Sequence, residues 1–312
     1  MPIRFSKAAE IASLGENYML AVEVEPKIEK TPPAPRPWAL EKLPPFPAVA
    51  TRLIQVLANE DANISEVGKI IAAEPVFATR VLQMANSPLF ALQRQIKTIA
   101  AAIVLLGLER IKVITMVRAV GDFVGPVLKI EPLRRCWQHS LAGAMLAEKL
   151  ARACQTDPDV AYLAALLRDI GRLALLVKFP GPYGNLLAVS AENSFDLMTT
   201  ERDLFDVDHC QAGAWLVADM HFPAELCRVV ARHHETPSGP FDLVQLVRVA
   251  DMMSDALGFG VLPASLGGGT PSVPGPAWGE ALSQLPDVSR ARFQHKPEQL
   301  TAELTTKIQS WK

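Results

Sequence analysis

Residues 160–179 read VAYLAALLRDIGRLALLVKF, the longest apolar stretch of the chain, with the spacing of a buried helix. An Asp-Pro pair at 157–158 predicts where this helix begins, because both residues suit a helix N-terminus. Arg168, Asp169 and Arg172 interrupt the stretch, so we expect no transmembrane helix here. A lone carboxylate is costly to bury unless it is paired or bound to a metal, and Asp169 therefore marks a candidate site.

Apolar residues on both sides of this stretch also recur at helical spacing, and no sustained alternation predicts a strand. We therefore predict an all-α protein, a helical bundle. Residues 178–195 are predicted to be a loop with one short helix near Leu186. Other helices are predicted to begin near Val49, Ser65, Pro75, Thr98, Leu108, Leu133, Asp208, Pro223, Asp242 and Pro297. The side chains of Ser65, Thr98, Asp208 and Asp242 are predicted to cap the helices that begin there.

Proline marks the flanks of the helical region. Of the 25 prolines, eight lie between residues 24 and 47 and four between residues 258 and 279. Proline-rich segments favour extended linkers over helices. The predicted parts are an N-terminal helix and linker (1–39), a two-lobed helical domain (40–257, with lobes 40–130 and 131–257), and a Gly/Pro-rich segment with a C-terminal helix (258–312).

The composition excludes several classes of protein. The chain has 312 residues, of which 49% are hydrophobic, and a net charge of -2. This is a globular composition, and it argues against a dedicated nucleic-acid binder or a polybasic membrane anchor, both of which carry a basic excess. The four cysteines form no C-x-x-C pair, so we expect reduced thiols in a cytoplasmic protein, with neither a zinc knuckle nor a disulfide framework. The N-terminus lacks the apolar core of a signal peptide.

Histidines and aspartates, which are common metal ligands, recur inside the apolar helices of the second lobe. They are His139, Asp169, His209, His233, His234 and Asp251. Structural interpretations remain open for most of them. His139 is predicted to be a hydrogen-bonded core histidine, Asp251 has Arg248 as a possible partner, and the other histidines lie where helices are predicted to begin or end.

The order of these residues resembles the HD superfamily of metal-dependent phosphohydrolases, whose name refers to an adjacent metal-binding His-Asp pair. Their surroundings resemble the HDOD family within it, over roughly residues 40–257. The motifs that carry this resemblance are Leu43-Pro44-Pro45-Phe46-Pro47-Ala48-Val49, Ile71-Ala72-Ala73-Glu74-Pro75, Val81-Leu82-Gln83-Met84-Ala85-Asn86-Ser87, the segment from Ile99 to Gly107, and Trp137-Gln138-His139-Ser140. The resemblance implies an all-α HDOD bundle and a role in bacterial signal transduction.

One departure from the superfamily pattern decides the predicted function. Where the superfamily has His-Asp, this chain has Arg168-Asp169. A guanidinium has no lone pair to donate to a metal and adds a positive charge. We therefore expect Asp169 to pair with Arg168 or Arg172, and we expect no metal or other cofactor. The positions that correspond to the lost centre, called below the eight site residues, are His139, Arg168, Asp169, Arg172, His209, His233, His234 and Asp251.

The sequence favours a non-enzymatic cytoplasmic module that acts through a signalling protein partner, without binding nucleic acid or membrane. One alternative is a metal-dependent phosphodiesterase or phosphohydrolase with a reduced single-metal site. Its ligands would be His139, Asp169, His209 and Asp251. Another alternative is a sensor that binds a nucleotide without catalysis, provided that its arginines face one cleft; a solvated helix face is the preferred interpretation of these arginines. They are Arg134, Arg135, Arg168 and Arg172.

Overall fold

The structure is a computed structural model of the chain. It describes residues 38–41, 51–53, 56, 63–86, 95–125, 128–193, 195–220, 222–262 and 276–309. The predicted N-terminal helix, most of the proline-rich linker and the motif at 43–49 lie outside the described residues.

Helices make up the regular structure of the described residues, which contain no strand. The predicted all-α class is confirmed. The helices described from end to end are α1 (Ile64–Ala72), α2 (Pro75–Ala85), α3 (Ile99–Leu106), α4 (Leu108–Val124), α5 (Glu131–Cys154), α6 (Pro158–Leu167), α7 (Ile170–Lys178), α8 (Pro180–Asn193), α9 (Leu197–Phe205), α10 (His209–Asp219), α11 (Ala224–Arg232), α12 (Leu243–Ala256), α13 (Pro276–Ser283), α14 (Asp287–Arg292) and α15 (Pro297–Gln309).

Side-chain caps determine where several helices begin. Thr98, Asp208 and Asp242 cap α3, α10 and α12, and each accepts a hydrogen bond from the backbone N–H three residues ahead, as the sequence predicts. The predicted cap at Ser65 is wrong. The side chain of Asn63 accepts from the Ser65 N–H at 2.8 Å, so α1 begins at Ile64.

The stretch at 160–179 is not one helix. It breaks at Arg168 and Asp169, where α6 ends and α7 begins, and both side chains are buried. The prediction of a loop with one short helix near Leu186 at 178–195 is right only about that helix, because α8 is much longer and occupies most of the segment. Tyr183 and the leucines that follow it are buried, and this packing outweighs the turn-forming composition of the segment.

The buried hydrophobic residues form two clusters. The smaller combines α1, α2 and α3 with the first turns of α4, and the larger takes in the rest of α4 and the helices from α5 onward. The 24-residue helix α5 lies in the larger cluster and contacts α6, α12, α14 and α15. Trp278 and Leu304 also belong to this cluster, so the helices after the Gly/Pro-rich segment pack onto the same core.

Candidate functional site

Six helices that contribute to the larger cluster bring the eight site residues together. His139 lies on α5, Arg168 and Asp169 at the junction of α6 and α7, and Arg172 on α7. The others lie at the start of α10, at the end of α11 and on α12. Gly171 permits the close approach of α7 and α10, because a Cβ on it would be 2.1 Å from the backbone oxygen of His209. Each of the eight site residues has a side-chain nitrogen or oxygen within 4 Å of a side-chain nitrogen or oxygen of another.

Arg168 lies at the centre of the site, with no exposed surface. Its Nη2 and Nε are 2.7 and 3.1 Å from Oδ1 of Asp251, and its Nε is 3.3 Å from Oδ2 of Asp169. Its Nη1 donates to the backbone oxygen of Ala165 at 2.7 Å. Burial by itself would lower the pKa of Arg168, but the charges of Asp251 and Asp169 outweigh it and raise that pKa. The guanidinium is therefore a permanent cation between two carboxylates.

His139 and Asp251 form the side of the site between α5 and α12. Nε2 of His139 is 2.9 Å from Oδ1 of Asp251, and its Nδ1 donates to the backbone oxygen of Phe259 at 2.8 Å. The prediction of a hydrogen-bonded core histidine is confirmed. The suggested pairing of Asp251 with Arg248 is wrong, because Arg248 donates to the backbone oxygen of Glu235 instead. Burial would raise the pKa of Asp251, but Arg168 and then His139 hold it below its usual range.

Asp169 is shared between two arginines. Its Oδ1 accepts from Nε of Arg172 at 3.1 Å, while Arg168 contacts its other oxygen. The predicted pairing is confirmed, with both candidate partners engaged. Burial would raise the pKa of Asp169, but Arg172 and Arg168 hold it well below its usual range. Asp169 therefore stays charged through these ion pairs.

Glu201 and Tyr183 complete the site and were not predicted. Oε2 of Glu201 is 2.7 Å from both the backbone nitrogen and Nδ1 of His209, and the Tyr183 hydroxyl donates to its other oxygen. Burial would raise the pKa of Glu201, but His209 and Arg172 lower it to about 2. An acidic residue eight positions before a candidate histidine was the only sequence signal, and α9, which carries it, was not predicted either.

The bond to Glu201 assigns the protons of His209. Because a carboxylate accepts, Nδ1 of His209 carries the hydrogen, and its Nε2 presents the lone pair to Nη2 of Arg172 at 3.0 Å. Burial, and then the charge of Arg172, lowers the pKa of His209. The ring nitrogen that would face a metal thus faces a guanidinium.

The two histidines at the end of α11 lie beside His209. Nε2 of His234 is 3.0 Å from Nε2 of His209. His233 donates through Nδ1 to the backbone oxygen of Val230 at 3.1 Å. Its buried Nε2 has no hydrogen-bond partner among the described residues and lies 3.8 Å from Oδ1 of Asp169. With Cys210, these three histidines place ligand-type atoms within 4.8 Å of one another.

The four arginines suggested for a nucleotide do not converge on one cleft. Arg168 and Arg172 are buried and paired, so for these two the interpretation as a solvated helix face is wrong. Arg134 is exposed on α5, and Arg135 pairs with Glu131 one turn away. Of these four arginines, only Arg168 and Arg172 belong to the site.

Comparison with known proteins identifies the family. The model of the HDOD domain matches residues 43–236, more than half of the chain. The chain belongs to the HDOD family. The family that the sequence motifs predicted is therefore confirmed. This HDOD protein is also 22% identical over 220 residues to an uncharacterized protein of Treponema pallidum (strain Nichols). The match covers 68% of the chain but only 42% of that relative.

The fold of this HDOD protein is similar to that of solved structures, including the following two. One, from Shewanella amazonensis SB2B, is provisionally named a phosphohydrolase; it is 23% identical, with a TM-score of 0.58 over 87% of this chain and 94% of that one. The other, from Marinobacter aquaeolei VT8, is provisionally named a signal transduction protein; it is 21% identical, with a TM-score of 0.61 over 87% of this chain and 60% of that one. In the described part of this HDOD protein, no helix is long and apolar enough to cross a bilayer.

Proposed function

We propose that this HDOD protein is a non-enzymatic signal-transduction module in which an internal ion-pair network has replaced the metal site of the superfamily. The observation that carries this proposal is the position of Arg168. Its guanidinium contacts Asp169 and Asp251 directly, and Asp251 in turn contacts His139. These three residues are candidates for metal ligands. Arg168 supplies the positive charge that a metal ion would otherwise bring to these carboxylates.

The donor set does not fit a two-metal centre. Metal ligands need lone pairs, and guanidinium nitrogens supply only N–H donors. Asp251 already accepts a hydrogen bond from Arg168. Asp169 and the unprotonated ring nitrogen of His209 both accept hydrogen bonds from Arg172. Two divalent ions added beside these buried guanidiniums would face strong repulsion. We therefore derive no reaction step through a metal.

Without chemistry at this site, the output of the module is contact with another protein. The provisional name of the Marinobacter relative supports a role in signal transduction. The net charge of -2 favours protein contacts over nucleic acid as the output. We place the protein in the bacterial cytoplasm, where its free thiols would stay reduced.

Metal content and hydrolysis test this proposal directly. Protein purified without chelator should contain far less than one transition metal per chain. It should show no manganese- or iron-dependent hydrolysis of cyclic dinucleotides or nucleotides. Arg168→His, which restores the His-Asp pair, should gain metal, and this variant controls for the sensitivity of the metal measurement. Turnover by the wild type that disappears in Asp169→Ala would overturn the proposal.

A second candidate is a reduced enzyme with a single metal, and one observation favours it. His233 offers an unpartnered buried Nε2 beside His209, Cys210 and His234. One transition metal per chain in the wild type that is lost in His233→Ala would support this candidate. The nucleotide sensor has less support, because the arginines meant to form its cleft are divided between the interior and the surface.

A further inference from the structure

A polar cavity lies at the surface between α11 and α12, and it contains none of the eight site residues. Its volume is about 100 Å³. Roughly 10–15 Å³ of such space is enough for one water molecule, so this cavity has room for a small polyatomic ion. We call it the arginine pocket, and its polar and charged lining residues are Arg228, Arg232, Glu235, Thr236, Ser238, Asp242, Gln245 and Arg248.

Positive charge exceeds negative charge in the arginine pocket. Nη2 of Arg228 is 3.1 Å from Oδ2 of Asp242, and Nε of Arg232 is 2.7 Å from Oε2 of Glu235. Arg248 has no carboxylate partner among the described residues. Three guanidiniums therefore meet two carboxylates, and an anion would balance the remaining charge.

Arg248 is held in place by the loop that closes the pocket. Its Nη1 donates to the backbone oxygen of Glu235 at 2.7 Å. A guanidinium has five N–H donors in a planar fork, so several stay available after this bond. Arg248 is partly buried, whereas Arg228 is exposed, with 45% of its side-chain surface accessible. A fixed fork loses less conformational entropy when it binds a ligand than a free one does.

We propose that the arginine pocket binds the phosphoryl group of a phosphate monoester. Arginine forks match the tetrahedral oxygens of phosphate and bind them with charge-assisted hydrogen bonds. The hydroxyls of Thr236 and Ser238 line the same cavity and add neutral donors. Glu235 and Asp242 moderate the attraction, which favours a single phosphoryl group over a polyphosphate. The proposal does not depend on the loss of the metal site.

Titration with inorganic phosphate tests the proposal on the full chain. At constant ionic strength, phosphate should shift the NMR amide signals of residues 235–245 in a saturable manner. Arg248→Ala should weaken this binding by about tenfold or more, since a charge-assisted hydrogen bond contributes about 1.5–3 kcal/mol. Arg228→Ala, at an exposed position, should weaken it as well. The matched control is Arg118→Ala, which removes an equally exposed arginine of α4 that is paired with Asp122.

One further variant separates the loss of phosphate recognition from misfolding, and two further probes distinguish between sources of the phosphoryl group. Arg248→Lys keeps the charge without the fork and should bind with intermediate affinity, which separates recognition from misfolding. Adenosine monophosphate and a phosphothreonine peptide, each compared with its unphosphorylated form, distinguish a free monoester from a modified protein. The proposal fails if the wild type shows no saturable shift. It also fails if all three alanine variants bind phosphate equally, or if the unphosphorylated probes bind as well as the phosphorylated ones.

Discussion

Gly143 lies so close to Arg168 that a Cβ atom on it would be 2.4 Å from Nη1 and 2.9 Å from Cζ of the guanidinium. Gly143 is on α5, and Arg168 follows α6, so the absence of a side chain on one helix makes room for the cation of the next. This contact connects the packing of the two helices to the ion pairs of Arg168. A larger residue at 143 would force the guanidinium away from Asp251.

The first prediction follows from this contact. Gly143→Ala should lower the free energy of unfolding by about 2 kcal/mol or more, because Arg168 is buried and has nowhere to move without losing its partners. Urea denaturation measures the change. Gly121→Ala is the control, since its Cβ would have only an ordinary 3.9 Å contact with Trp137. In an Arg168→Ala background the cost of Gly143→Ala should largely disappear; an unchanged cost would contradict the explanation.

A second prediction concerns the ion pair between Arg168 and Asp251. Arg168→Met should destabilise the protein by about 3–5 kcal/mol, because a buried carboxylate loses its main counter-charge. The double variant Arg168→Met with Asp251→Asn should lose less than the sum of the two single changes, since it removes both charges together. Urea denaturation of all four proteins gives the coupling energy. Strictly additive changes would mean that the pair does not contribute as a unit.

A third prediction concerns acid. Glu201 has its pKa lowered from 4.5 to about 2, so its contribution to stability is complete above pH 4.5 and is lost as the pH falls towards 2. This contribution is about 3 kcal/mol on the usual conversion of a pKa shift. Glu201→Gln should therefore be less stable at neutral pH and should lose less stability between pH 5 and pH 3.

Chemical denaturation at several pH values gives the slope of the unfolding free energy against pH for the wild type and for Glu201→Gln. Asp169 and Asp251 also have lowered pKa values, so part of the acid sensitivity should remain in Glu201→Gln. Glu280→Gln, at an exposed position on α13, is the control and should keep the wild-type slope. A Glu201→Gln protein with the full wild-type slope would show that this carboxylate does not contribute to acid unfolding.

A fourth prediction concerns the thiols. Burial raises the pKa of Cys136 to about 12 and also raises those of Cys210 and Cys227, but Cys154 and Cys227 are partly exposed, so a reagent can reach them. Because the thiolate is the reactive form, iodoacetamide at pH 8 should modify Cys154 and Cys227 in the folded protein and leave the buried pair intact. Peptide mass spectrometry identifies the modified residues. Denatured protein should react at all four, and rapid labelling of Cys136 in the folded state would contradict the described core.

Local sequence patterns predicted much of the fold. Thr98, Asp208 and Asp242 were recognised as caps because a cap acts on backbone groups within one turn. The starts of α2 and α15 follow from prolines in the same way. The sequence predicts only a short helix near Leu186 where α8 lies, because the proline, glycine and asparagine residues of α8 are typical of turns, and the burial of residues such as Tyr183 compensates for this.

The sequence by itself determined the helical class and the family, and it places Arg168 where the superfamily that it resembles has the histidine of a His-Asp pair. It also implied that Asp169 pairs with an arginine, since Arg168 and Arg172 lie within one turn of it. Only the tertiary structure decided that Asp251 pairs with Arg168 across 83 positions and that Glu201 orients His209. A local pattern reports which face of a helix is buried, but the partner of a buried charge depends on which helices pack together.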